Sequence, residues 1–182
     1  MDVSAIPFNQ FLDLRAGGAA LTLPADPKYH NHLGTVHAGA QFSLAEAASG
    51  QWLLDRFGDA AADYVAVVRH ADVKFRRPAT GELTTQAGAS PEEAERFLET
   101  LTRRGRATIE VRVQVLGADG SATLESTFEW FAQRYTAAVD FAELDRARFM
   151  LDRTNAFLDP NEADAAGTRL VMPAPEILAD HS

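Results

Sequence analysis

A polar segment rich in histidine and glycine is followed by a long apolar segment with a carboxylate in its middle. Residues 30–39 have the composition of a loop, and residues 40–57 predict a helix that is apolar on more than one side and therefore largely buried. Glu46 lies within this helix, where a carboxylate is costly unless it has a partner or a chemical role. The start of such a helix offers free backbone N–H groups at its positive end. The stretch thus predicts an anion-stabilising corner, with an acid or base about two turns further on.

The patterns on either side of this stretch predict the elements that position it. Residues 7–10 indicate a short helical turn, because proline suits a first helical position. Residues 12–23 alternate and indicate one strand with a bend at its Gly-Gly pair. Serine, proline and two acids at the start of residues 90–103 are typical of a helix N-terminus. Period-two alternation predicts further strands at residues 64–77, 83–89, 108–116 and 122–132.

A sheet of this kind has one face to cover, and one long apolar helix can cover it. The predicted class is therefore α+β, with a curved antiparallel sheet wrapped around one long central helix in residues 1–134. Residues 135–182 are expected to add a C-terminal helix and an irregular tail. The first long strand is expected to be covered on both faces at its start only. One of its faces is expected to carry Val65, Val67, Ala71, Val73 and Phe75. Arg69 interrupts this apolar series.

Composition excludes several classes of function. The chain has 182 residues with 46% hydrophobic content, which fits one globular domain. A formal net charge of -9 argues against nucleic acid or an anionic membrane as a partner. The absence of cysteine excludes disulfides, thiolate metal sites and a cysteine nucleophile, and no metal site is predicted. Without a visible secretory signal or an apolar run of about 20 residues, we expect a cytoplasmic protein.

The helix and its preceding loop carry a motif that resembles the hotdog-fold acyl-CoA thioesterases, in particular the phenylacetate-pathway-like group and its uncharacterised bacterial relatives. The family pattern is Asn, two residues, Gly, two residues and His-Gly-Gly, with an acid eight residues after the first glycine of the pair. This sequence departs from it in having alanine for that glycine and glutamate for the usual aspartate. The residues on the pattern are Asn31, Gly34, His37, Ala38, Gly39 and Glu46.

A second segment extends the resemblance, which covers roughly residues 7–134. Residues 73–78, Val-Lys-Phe-Arg-Arg-Pro, are similar to the family's strand that ends in Arg/Ser-Pro. The resemblance implies a homodimer or a dimer of dimers, with each site built from two chains. It also implies a small-molecule acyl thioester as substrate, so that coenzyme A enters as part of the substrate and no separate cofactor is needed.

The resemblance further implies roles for individual residues. The backbone N–H of Ala38, next to Gly39, would bind the thioester oxygen. Asn31 would position the attacking water or the carbonyl, and Glu46 of the partner chain would act as general base or nucleophile. These four are the candidate catalytic residues. The candidate substrate-binding residues are His37, Gly34, Ser49, Arg76 and Arg77.

Structural roles compete with several of these assignments. Glu46 could be a core carboxylate satisfied by a partner, and Asn31 could be a turn residue. His37 could hold the loop by hydrogen bonds, and the arginines could form a solvated rim. Two other functions also stay open. A dehydratase would use a histidine fourteen positions before its glutamate, as His32 is here, although the proline of the dehydratase signature is absent; the third function is non-catalytic acyl-CoA binding.

Overall fold

The computed structural model describes residues 2–18 and 20–135, which form one antiparallel sheet and three α-helices. The sheet has six strands in the order β1-β2-β4-β5-β6-β3. The predicted C-terminal helix lies outside the described residues. The helices are α1 (Pro7–Phe11), α2 (Ala38–Phe57) and α3 (Pro91–Arg104), and the strands are β1 (Arg15–Gly17), β2 (Ala20–Leu23), β3 (Tyr64–Phe75), β4 (Leu83–Gly88), β5 (Arg106–Leu116) and β6 (Ala122–Arg134).

Helix α2 packs against the sheet, chiefly on β2, β4, β5 and β6. Half of its residues are buried, including leucines 44 and 53 and four alanines, as its apolar composition predicts. The inward side chains of β5 alternate strictly with exposed ones, and Val111 and Val115 are completely buried. Each large aliphatic side chain buried in this way stabilises the fold by roughly 1.5–3 kcal/mol. The predicted curved sheet around one helix is therefore the architecture observed.

The prediction of one bent strand over residues 12–23 is wrong. Two strands are present, and they pair antiparallel with Arg15 opposite Thr22 and Gly17 opposite Ala20. Gly17 ends β1, and Gly18 has a φ of +65°, which glycine adopts without strain, so the chain makes a hairpin turn after Gly17 rather than a bend. Alternation continues across a tight turn, so it cannot by itself separate one strand from two.

Strand β3 contains a bulge that overturns its predicted face pattern. Val68 pairs with Trp130 and His70 with Glu129, which leaves Arg69 without an opposite residue on β6. The extra residue shifts the inward face by one position. Val65 and Val67 are consequently about half exposed, on the face opposite to that of Ala71 and Val73. The five apolar residues do not share one face, and the start of the strand is not covered on both faces.

Helix α3 begins and ends where its sequence indicates. Ser90 accepts a hydrogen bond from the Glu93 backbone N–H, and the Glu93 side chain accepts one from the Ser90 backbone N–H. The helix stops before Gly105, whose φ of +70° suits glycine. Within the described part of the chain, no helix is long and apolar enough to cross a membrane.

Candidate active site

The loop before α2 is fixed by backbone hydrogen bonds at its C-terminal end. The Val36 N–H donates to the Ala79 carbonyl at 2.8 Å, and the His37 N–H donates to the Tyr29 carbonyl at 2.7 Å. His37 is the N-cap residue, and its Nδ1 accepts a hydrogen bond from the Gly39 N–H at 2.9 Å. The helix therefore begins at Ala38, two residues before the start expected from composition. His37 holds the corner, which is the structural role considered for it above.

The backbone N–H groups of the first turn of α2 differ in availability. The Gly39 N–H is bound by the His37 imidazole, and those of Ala40 and Gln41 donate to the His37 carbonyl. Among the described residues, none accepts from the Ala38 N–H, and Ala38 is exposed. Of the two adjacent N–H groups expected at this corner, the one of Ala38 is available to a ligand and the one of Gly39 is engaged.

The His37 ring also explains why alanine occurs at one of these positions and glycine at the next. A Cβ atom on Gly39 would lie 3.1 Å from His37 Nδ1, which is closer than nine in ten real Cβ contacts, so the imidazole would have to shift by a few tenths of an ångström. Ala38 carries its Cβ at an exposed position. Alanine in place of the first glycine of the motif therefore retains the backbone N–H of residue 38. It also leaves the hydrogen bond from the Gly39 N–H to the His37 imidazole intact.

Asn31 uses its side chain to hold the loop. Its Oδ1 accepts from the backbone N–H groups of Leu33 (2.9 Å) and Thr35 (3.2 Å), and its Nδ2 donates to Thr35 Oγ1 at 2.9 Å. Gly34 completes this turn with a φ of +73° and donates its N–H to the Asn31 carbonyl. Every polar contact of Asn31 in the described residues is internal to the loop, so Asn31 shapes the segment that delivers Ala38.

Glu46 is half-buried near the middle of α2. Its carboxylate makes no hydrogen bond or ion pair with any residue that the structure describes, so within this chain it is not a satisfied core carboxylate. Burial raises the pKa of the Glu46 carboxyl above that of an ordinary glutamate, because the charged form loses hydration. A carboxylate whose pKa is shifted toward neutrality is suited to take up a proton during a reaction.

Ser49 lies one turn after Glu46 and is completely buried. Its hydroxyl donates to the Glu46 backbone carbonyl at 2.7 Å and accepts from the indole Nε1 of Trp130 at 2.9 Å. These bonds tie the middle of α2 to strand β6. The structure therefore places Ser49 in the helix–sheet interface and not at a surface that a substrate could reach.

The two candidate arginines follow directly after β3 and are exposed. The guanidinium of Arg76 is ion-paired with Glu125. Arg77 has no ion pair within the described residues, and it lies two positions before Ala79, which binds the loop backbone at Val36. Of the two candidate arginines, Arg77 is therefore the one that forms no ion pair in the described residues, and, besides the hydrogen bonds from Ser121, its charge helps to lower the pKa of the Asp119 carboxyl.

Sequence reasoning missed one feature of this corner. A cavity of about 540 Å³ lies beside the first turn of α2. Phe8 and Phe11 of α1 contribute to its wall, although the sequence pattern assigned no role to either of them. Within residues 2–18 and 20–135, no three His, Asp or Glu side chains come together as a metal site would require.

Comparison with known protein families assigns this chain to one of them. Residues 8–132 match the family described as Domain of unknown function (DUF4442), which is more than half of the chain. The chain belongs to the DUF4442 family. None of the curated proteins compared with it matches.

Solved structures share the fold. PA5026 from Pseudomonas aeruginosa, a protein of unknown function described as a "probable thioesterase", is 27% identical with a TM-score of 0.65, over 73% of this chain and 91% of PA5026. A protein of unknown function from Chlorobaculum tepidum is 18% identical with a TM-score of 0.64, over 72% of this chain and 89% of that protein. BH2602 from Bacillus halodurans, solved with CoA, is 19% identical with a TM-score of 0.53, over 69% of this chain and 74% of BH2602.

These likenesses confirm the resemblance inferred from the loop and helix motif. The described residues form a hotdog fold, and its structural neighbours include proteins of the thioesterase superfamily. In this DUF4442 chain the motif places an N–H group at the start of the central helix and a carboxylate two turns along it, and neither has a partner among the described residues.

Proposed function

We propose that this protein hydrolyses acyl thioesters of coenzyme A or of an acyl carrier, with Glu46 as general base or nucleophile and the Ala38 N–H as oxyanion donor. The observation that carries the proposal is the half-buried carboxylate of Glu46, which no described residue satisfies. Hydrolysis of a thioester needs a group that handles a proton and a donor that stabilises the oxyanion. Both groups occur on the central helix.

The spacing of these two groups favours a site shared by two chains. Eight residues of α-helix separate Ala38 from Glu46, which corresponds to a rise of roughly 12 Å. Both groups must lie within about 3 Å of atoms of one thioester. A glutamate side chain cannot span the remaining distance, so in this proposal the carboxylate comes from Glu46 of a second copy.

The sheet offers an edge through which two copies could pair. Among the described strands, β3 is hydrogen-bonded only to β6, and no other described strand pairs with its outer side. Its residues Val65 and Val67 are about half exposed. An open edge with exposed apolar side chains is suited to burial against a second chain. We therefore propose a homodimer, or a dimer of dimers, as the active form.

The chemistry then follows from the positions of the groups. Water attacks the carbonyl carbon while Glu46 accepts its proton, and the Ala38 N–H donates to the oxygen as it becomes negative. The C–S bond breaks, and the leaving thiolate takes the proton from Glu46. In the nucleophilic variant of the proposal, the carboxylate attacks first, the thiolate leaves, and water then cleaves the anhydride. Either route yields a carboxylic acid and a thiol.

Release of thiol from a panel of acyl-CoAs tests the proposal. Hydrolysis predicts free CoA in amounts equal to the acid formed. Formation or loss of an enoyl absorbance without free CoA would instead support the dehydratase alternative. Binding of acyl-CoA without either signal would support the non-catalytic alternative, and both of these outcomes would reject thioester hydrolysis.

Subunit mixing tests whether each site draws on two chains. Asn31→Ala should disable the corner of its own chain, because the Asn31 side chain holds the loop before Ala38. Glu46→Gln should disable the carboxylate. When the two inactive proteins are unfolded and refolded together, about half of the dimers should be mixed, and each mixed dimer should hold one intact site. Activity should then return to roughly a quarter of that of the wild type.

The two homodimers, refolded separately, are the controls for this experiment. If mixed dimers form, as measured by mass, and no activity returns, then Asn31 and Glu46 act within one chain. That result would contradict the shared site.

A further inference from the structure

Helix α1 buries one of its two polar residues, Asn9, and exposes Gln10 and both of its aromatic residues. Asn9 is only 5% exposed, whereas Phe8 is 58% and Phe11 is 76% exposed. The exposure of both aromatic side chains departs from an ordinary surface helix, where apolar side chains face the core. Neighbouring exposed aromatic side chains mark surfaces that bind a ligand or a partner.

Specific contacts hold α1 in this orientation. Asn9 Nδ2 donates to the Val3 carbonyl at 2.9 Å, and the Val3 N–H donates to Gln51 Oε1 on α2, also at 2.9 Å. At the other end of α1, the Tyr29 hydroxyl donates to the Leu12 carbonyl at 2.6 Å. The exposure of the two phenylalanines is therefore built into the packing of α1 on α2 and Tyr29.

The exposed phenylalanines form one wall of the cavity next to the first turn of α2. Its volume of about 540 Å³ lies within the range of small-molecule sites, about 300–1,000 Å³. The wall made by α1 is apolar, and the opposite wall is the helix start, where Ser43 Oγ donates to the Gly39 carbonyl at 2.9 Å. The lining consists of Phe8, Phe11, Leu12, Lys28, Tyr29, His30, His37, Gly39, Ala40 and Ser43.

The character of the cavity identifies the part of a thioester that would fit it. The lysine in its lining, Lys28, is ion-paired with Asp13 and so is not free for a phosphate. Another cavity, of about 470 Å³, is lined largely by charged and polar residues, and its Arg69 and Arg104 form no ion pair within the described residues. Coenzyme A phosphates fit such surroundings, whereas the cavity beside α1 fits an apolar group.

We propose that this cavity holds the acyl group of the substrate and that Phe8 and Phe11 determine a preference for bulky apolar acyl groups. The inference rests on the proposed function. The cavity lining includes the residues on both sides of Ala38, so a carbonyl oxygen at the Ala38 N–H places the acyl chain directly against α1. The acyl cavity and the Ala38 N–H then belong to one chain, and the carboxylate belongs to the other.

The acyl-chain dependence of kcat/KM tests this assignment in Phe8→Ala and Phe11→Ala. Each substitution should lower kcat/KM for dodecanoyl-CoA about tenfold, because an aromatic side chain that becomes buried against the acyl chain contributes about that much to binding. The value for acetyl-CoA should change much less, because its single methyl group has little apolar surface to bury against the rings. Ile6→Ala is the matched control, since Ile6 is an exposed apolar residue beside α1 that does not line the cavity. Equal losses for both substrates, or none, would overturn the assignment.

Binding separates a failure of this inference from a failure of the proposed function. Calorimetric titration of Glu46→Gln should give a lower Kd for dodecanoyl-CoA than for CoA alone. Adding Phe11→Ala should reduce the ratio of these two Kd values about tenfold. If this pattern appears but the wild type hydrolyses no thioester, the cavity assignment stands and the hydrolase proposal fails. If Phe11→Ala instead dissociates the dimer in light scattering, the rings belong to a subunit interface and the acyl assignment is wrong.

Discussion

Glu46→Gln is expected to lower kcat for thioester hydrolysis by about 10²–10⁴-fold, the usual contribution of one acid–base group. The substitution is nearly isosteric and removes only the ability to take up the proton. Asp55→Asn is the matched control, because Asp55 is an exposed acid on the same helix. Steady-state rates of thiol release measure both variants. Activity above roughly a tenth of wild type in Glu46→Gln would show that the carboxylate does not carry the reaction.

The same substitution should stabilise the fold at neutral pH, which separates loss of chemistry from loss of structure. Burial raises the pKa of Glu46, so the folded state holds its proton more tightly than the unfolded chain does. The stability that wild type has at low pH is therefore lost as pH rises through the pKa of the folded state. Glutamine has no charge to bury. The melting temperatures of the two proteins should agree below pH of roughly 4 and diverge in favour of Glu46→Gln above it.

The elements whose burial follows a local period were predictable from the sequence. The alternation of β5 shows which of its faces is buried, and the apolar composition of α2 shows that much of this helix is buried. The bulge at Arg69 was not predictable, because it is defined by the register of β3 on β6 more than fifty residues away. Alternation likewise passed through the turn at Gly18 without a break in its pattern.

Some features of the candidate site were likewise predictable from local sequence, and others depend on contacts that local sequence does not show. A carboxylate within an apolar helix is a local signal, and it led to Glu46. The engagement of the Gly39 N–H by His37 is also local, but it depends on a side-chain orientation that composition does not encode. The orientation of α1 depends on contacts with Gln51 and Tyr29, far along the chain. Five residues are also too few to show a helical period, so no pattern in the sequence singles out Phe8 or Phe11.

Ala38→Pro should lower kcat about 10²–10³-fold, the effect of removing one oxyanion donor, whereas Ala38→Gly should stay within a few-fold of wild type. Proline removes the backbone N–H and glycine keeps it. Ala38 is the first residue of α2, a position that proline favours, so the substitution spares the helix. The preceding residue, His37, has φ -58° and ψ 139°, which is the extended conformation required before proline.

These local conditions make the proline variant a test of one hydrogen-bond donor rather than of folding. The proline variant should therefore melt close to wild type, and circular dichroism should show unchanged helix content. Its kcat should fall while the glycine variant remains active, because the Gly39 N–H is held by the His37 imidazole and cannot replace the lost donor without breaking the cap. Equal kcat values in the two variants, with both melting as wild type, would exclude the Ala38 N–H as the oxyanion donor.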